Sequence, residues 1–144
     1  MTRVTGLLLL SLLLLLTACA GTGDPRDLAI ELRPDRPFEV MTPGQRYFTF
    51  TLEAPARVVL ESQTFPGETS VISPAGQLLD ANGELVERDW ISGTDSNFRI
   101  ERRLEAGAWY LRVTTPHART TPFGFLERDY RYSVLLTVDD DAGE

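Results

Sequence analysis

Across 144 residues the chain carries 14 basic and 21 acidic side chains, a formal charge of −7. That sign disfavours nucleic acid and anionic lipid headgroups as partners, because both are held by basic clusters. One cysteine excludes a disulfide within the chain, and one histidine, His117, excludes a histidine-based metal cluster and leaves any Ser-His-Asp arrangement to be built around it alone.

The chain opens with Arg3 and an almost unbroken leucine run over residues 6–16. Such a run falls short of the about 20 apolar residues that span a bilayer and suits the core of a signal peptide, so residues 1–18 are expected to be removed. Leu16-Thr17-Ala18-Cys19 resembles the bacterial lipobox, in which the cysteine thiol is diacylated and becomes the new N-terminus. Cys19 is therefore the expected lipidation site, where two or three acyl chains hold firmly and one alone is marginal. Ala20, rather than an aspartate, follows it, which resembles the pattern of lipoproteins sent to the outer membrane of a source with two membranes. The expected address is the cell envelope, reached through lipid. Loss of Arg3 leaves 13 arginines against 21 acids, so charge does not provide the anchor.

Residues 19–27, small and polar with glycine and proline, are expected to form a flexible tether of roughly 15 Å. The alternation of residues 28–32 predicts a first strand, and Phe38 with Val40 a second, near Pro34 and Pro37 and so at a sheet edge. Pro43-Gly44 is a turn signal. Residues 45–53 then form the cleanest strand, with Phe48, Phe50 and Leu52 on one face and Tyr47, Thr49 and Thr51 on the other. Residues 56–61 repeat the alternation with Ala56, Val58 and Leu60 inward. A turn over residues 64–69, a brief strand over 70–73 and a turn-dense stretch over 74–96 follow. That stretch includes Pro74-Ala75-Gly76 and Asp80-Ala81-Asn82-Gly83 as turns, with Leu78, Leu79, Leu85 and Val86 as strand pieces between them.

Residues 97–113 read as an antiparallel hairpin at the centre of the core. Phe98 and Ile100 lie on one arm, Trp109, Leu111 and Val113 on the other, and Gly107 sits in the turn where positive φ is expected. Trp109 lies in the core register and reads as structural. Residues 115–129 form a long aperiodic loop. Tyr130, Tyr132, Val134, Leu136 and Val138 define a last strand, and residues 139–144 an acidic tail. No stretch after Cys19 has a useful 3.6-residue period. Seven to nine short strands spaced by about 8–12 residues predict an all-β fold, a single antiparallel β-sandwich over residues 28–138.

The order of these pieces resembles the bacterial pre-peptidase C-terminal domain family. The resemblance rests on Pro43-Gly44-Gln45-Arg46-Tyr47-Phe48-Thr49-Phe50, the Gly67-Glu68-Thr69 corner and Leu78-Leu79-Asp80-Ala81-Asn82-Gly83-Glu84-Leu85. It continues through Asn97-Phe98-Arg99-Ile100, Leu104-Glu105-Ala106-Gly107-Ala108-Trp109-Tyr110-Leu111-Arg112-Val113 and Tyr132-Ser133-Val134, covering most of residues 43–138. It implies a jelly-roll-like sandwich. Family members usually stand beside a catalytic domain, so it also implies an accessory module that acts through what it binds, an envelope protein or a glycan.

Some members and relatives of the family bind Ca²⁺ through turn carboxylates, and a calcium ion needs six to eight oxygen ligands in one place. The matching positions are Glu68, Asp80, Asn82, Asp89 and Asp95, whose alternative reading is as solvated turn residues. The family's acidic pair after the Asp-x-x-Gly turn reads Arg88-Asp89 here. No other cofactor is expected. Trp90 is either an exposed platform for a sugar ring or a ring folded back over the sandwich end. Phe123, Phe125 and Leu126 either tuck under the sheet edge or form a partner-docking tip. Nothing singles out two of the acids as a catalytic pair, so a non-enzymatic role is expected, with a calcium-stabilised carbohydrate-binding module or a purely structural envelope protein as the alternatives to a partner-binding lipoprotein.

Overall fold

The computed structural model describes residues 23–41, 44–64, 72–115 and 131–139. Nine strands run through them: β1 (Ile30–Glu31), β2 (Phe38–Val40), β3 (Gln45–Leu52), β4 (Ala56–Thr64), β5 (Ala75–Leu79), β6 (Leu85–Asp89), β7 (Arg99–Leu104), β8 (Gly107–Thr114) and β9 (Tyr132–Asp139). The helical pieces among the described residues are two 3-10 turns, Pro25–Leu28 and Thr94–Ser96.

The strands form two sheets, a five-stranded one in the order β1-β3-β8-β5-β6 and a four-stranded one in the order β2-β9-β4-β7. The expected β-sandwich is the observed fold. Its pairs are antiparallel except β1 with β3, which run parallel with Ile30 opposite Phe48. The predicted alternation holds where it was strongest: Phe48, Phe50 and Leu52 of β3 are buried, as are Ala56, Val58 and Leu60 of β4 and Tyr132, Val134 and Leu136 of β9. They meet Leu78, Ile100, Leu104, Leu111 and Val113 in one apolar core between the sheets. The Phe38 and Phe48 rings pack edge to face with centroids 5.6 Å apart.

The expected hairpin over residues 97–113 is not one. Its two arms are strands of opposite sheets: β7 pairs with β4, Leu60 opposite Ile100, whereas β8 lies between β3 and β5. Both arms do bury alternate side chains, but they do so from facing layers. Gly107, at φ +135°, turns the chain from one layer to the other. Among the described strands, the pair that joins directly as a hairpin is β5 with β6, closed by the Asp80 turn with Gly83 at φ +85°.

Pro74-Ala75-Gly76 is likewise not a turn, because Ala75 and Gly76 open β5. Gly76 faces the core, where the Phe98 ring occupies the space a Cβ would take, 2.6 Å from its nearest ring carbon. Close packing, rather than a bend, explains the glycine. Of the strand expected over residues 70–73, the described Ile72 and Ser73 are not in strand conformation. The expected first strand shrinks to β1, with Leu28 in the 3-10 turn. The described end of the expected tether lies on the sheet, held by a hydrogen bond of 3.2 Å from Arg26 Nη1 to the Ala81 carbonyl.

Candidate functional site

Strand alternation gives the five-stranded sheet an outward face, and register decides which side chains meet on it. Tyr47 of β3 lies opposite Arg112 of β8, Arg112 opposite Gln77 of β5, and Gln77 opposite Arg88 of β6, forming one row across four strands. Neighbours in such a row stand about 4.8 Å apart. The adjacent row runs Thr49, Tyr110, Leu79 and Leu85.

The 3-10 turn covers part of this second row. Asp24 caps it, its carboxylate accepting the Arg26 backbone N–H at 2.9 Å and the Arg26 Nε at 2.9 Å. These bonds from Arg26 hold the Asp24 carboxyl below the usual carboxylate range. The Arg26 guanidinium lies 5.4 Å from the Tyr110 ring centroid, a cation–π contact. Leu79, though it points outward, is only 5% exposed.

Between the turn and the sheet lies a cleft of about 530 Å³, lined among others by Asp24, Tyr47, Asn82, Leu85 and Arg112. That is within the size range of small-ligand sites. Arg112 is half-buried and donates from Nη2 to the Gln77 Oε1, while its Nε is buried with no hydrogen-bond partner among the described residues. Among the described residues no carboxylate pairs with it, and its neighbours in the row, Tyr47 and Gln77, are neutral. Asp24, the acid of the cleft, is committed to Arg26.

The positions considered for calcium are placed differently. Asp80 Oδ1 accepts the backbone N–H groups of Asn82 and Glu84, each at 2.9 Å, and so closes the β5–β6 turn. Asp89 Oδ2 accepts from the backbone N–H groups of Ile91, Ser92 and Arg99, and Oδ1 from the Ser92 hydroxyl at 2.7 Å. Burial pushes the Asp89 carboxyl up, but the hydrogen bonds from Ser92, Arg99 and Ile91 outweigh it and hold it low. Asp95 sits at φ +56° in the second 3-10 turn. Among the described residues no three acids, histidines or cysteines gather as a metal would require. Cys19, Glu68, His117, Phe123, Phe125 and Leu126 lie outside the described residues.

Trp90 is 55% exposed, with the Arg88 guanidinium 5.8 Å from its ring centroid. It is thus not folded away; it follows the end of β6, against the Arg88 that ends the outward row and next in sequence to the exposed Ile91. Trp109 lies opposite Phe50, packs against the core and donates from Nε1 to the Glu105 carbonyl at 3.0 Å. Tyr47 and Arg112 were legible in the sequence only as outward residues of two strong strands. Nothing local in the sequence says that those strands are neighbours.

Among solved structures, the chain is similar to the pre-peptidase C-terminal domain of collagenase from Bacillus anthracis, with a TM-score of 0.53 and 11% identity, covering 76% of this chain and 94% of that one. No protein-family model matches, and no curated protein does. At that identity the likeness establishes the fold, a β-sandwich of the pre-peptidase C-terminal kind.

Proposed function

We propose that the protein is a non-enzymatic lipoprotein of the cell envelope whose β-sandwich is a binding module, engaging a protein or glycan partner through the outward face of its five-stranded sheet. The observation that carries this reading is the row Tyr47-Arg112-Gln77-Arg88 with Trp90 at its end, bordering a cleft. Flat aromatic faces and fixed hydrogen-bond donors are what recognition surfaces use, and aromatic and arginine side chains dominate binding energy at interfaces. Likeness to a domain of a collagenase supports an accessory role.

The lipobox-like Leu16-Thr17-Ala18-Cys19 supports the anchor, and Ala20 supports the outer membrane where the source has two. The excess of acids argues against nucleic acid as a partner.

Two measurements test the reading. Cys19→Ala should move the protein from the membrane to the soluble fraction, with mass spectrometry finding acyl chains on Cys19 of the parent alone. Tyr47→Ala with Trp90→Ala should lower retention of the soluble Cys19→Ala form on envelope fractions. Unchanged retention would remove this face from consideration.

A further inference from the structure

We propose that the cleft takes the carboxylate of an acidic saccharide, with Arg112 as its counter-charge and the Tyr47 ring as the platform for the sugar; this rests on the outward face being the binding face.

The first argument is charge. In a chain with 21 acids, the other two described cations at the row and its cleft have companions: Arg26 has Asp24 and the Tyr110 ring, and Arg88 has the Trp90 ring. Arg112, half-buried at the cleft, makes a single hydrogen bond among the described residues, to a neutral amide, and its Nε has no partner among them. A guanidinium is the side chain whose planar fork matches a carboxylate, and charge-assisted bonds to it are about twice as strong as neutral ones. Gln77 holds the fork in one orientation before any ligand arrives, which lowers the entropic cost of binding.

The second argument is position. The cleft spans the sheet from Tyr47 of β3 to Leu85 of β6, with Arg112 of β8 and Leu79 of β5 on inner strands paired on both sides. An extended peptide gains its affinity by adding a strand along a sheet edge, whereas this cleft opens over the face of the sheet and reaches the β6 edge strand only at Leu85. The ligand must be read by side chains. A half-exposed tyrosine ring, the Asn82 amide and the exposed Leu85 offer a stacking face, a donor with an acceptor, and an apolar wall, the complement of a pyranose ring.

The test is calorimetry on the purified full chain with tetragalacturonate and with its methyl ester. The acid should bind, and the ester should bind roughly tenfold or more weakly, because a charge-assisted pair is lost. Arg112→Gln should weaken the acid by roughly 10- to 100-fold, Arg112→Lys less, and Tyr47→Ala should weaken both compounds. Arg36→Gln, at an exposed position elsewhere, should change nothing. Equal binding of acid and ester by the parent, which needs no variant to fold, would overturn the proposal, as would an undiminished Arg112→Gln or no binding of either compound. If neither compound binds while Tyr47→Ala with Trp90→Ala still abolishes retention on envelope fractions, the saccharide assignment fails and the binding face stands.

Discussion

Gly76 and Phe98 show how one missing atom shapes the interior. Phe98 is fully buried, and a Cβ on Gly76 would lie 2.6 Å from its Cδ2, closer than any relaxed contact. Gly76→Ala should therefore overpack the core and cost about 1–3 kcal/mol, read as a lower urea midpoint. Phe98→Leu in the same chain should recover part of the loss. Tyr132 presents the opposite case, a fully buried ring whose hydroxyl has no hydrogen-bond partner among the described residues. Burial pushes its phenol from 10.0 up to about 12. Because the folded value is raised, its contribution is complete below the unfolded value and is lost as pH climbs from 10.0 through about 12. Tyr132→Phe removes a polar group that nothing satisfies, so it should leave stability at neutral pH equal or higher and soften the alkaline loss. A variant as alkali-sensitive as its parent would contradict this.

Asp89 ties two elements together. It ends β6 in one sheet, and its carboxylate accepts the N–H of Arg99, which begins β7 in the other. A second link, the Arg102–Glu87 ion pair at 3.2 Å, joins the same two edge strands. Asp89→Ala would strip the acceptor from the Ile91, Ser92 and Arg99 amides and should cost about 1–2 kcal/mol, the range seen when a capping side chain is removed. The carboxyl is held low, so its contribution is present above the ordinary carboxylate range and is lost as pH falls through the folded value. Parent and variant melts should converge in acid. This level is also where sequence reading failed. Burial alternation is a local property, so the strands β3, β4, β8 and β9 could be read off directly. Pairing is not local, and residues 97–113 alternate equally well as a hairpin or as two strands in facing sheets. The glycine of Pro74-Ala75-Gly76 reads as a turn because the ring that requires it is more than twenty residues away in the chain.

At the scale of the molecule, two sheets share one core, and each turns an outer face away from it. The four-stranded sheet carries an ion-pair ladder, with Glu61 and Glu101 held by Arg99 and Glu101 also by Arg57. Exposed pairs of this kind add little stability and keep the surface wet. The five-stranded sheet carries the row Tyr47-Arg112-Gln77-Arg88, in which, among the described residues, Arg112 has no carboxylate partner. Neither surface could be drawn from the sequence, since both exist only once strands distant in the chain align. The turn carboxylates of Asp80 and Asp89 already accept backbone N–H groups, so the melting temperature should be the same in calcium and in chelator. A calcium-dependent gain near 2.7 kcal/mol, expected at a hundredfold excess over Kd, would overturn that expectation.

Among the described strands β5 and β6 alone are neighbours both along the chain and within a sheet, and the links between the others cross from layer to layer. Little can therefore assemble before distant segments meet, and closing such long loops is slow, on the order of milliseconds to seconds. For a polypeptide exported as proposed, that delay is useful. On that proposal the chain would stay threadable while it crosses the bilayer and would acquire its shape on the far side.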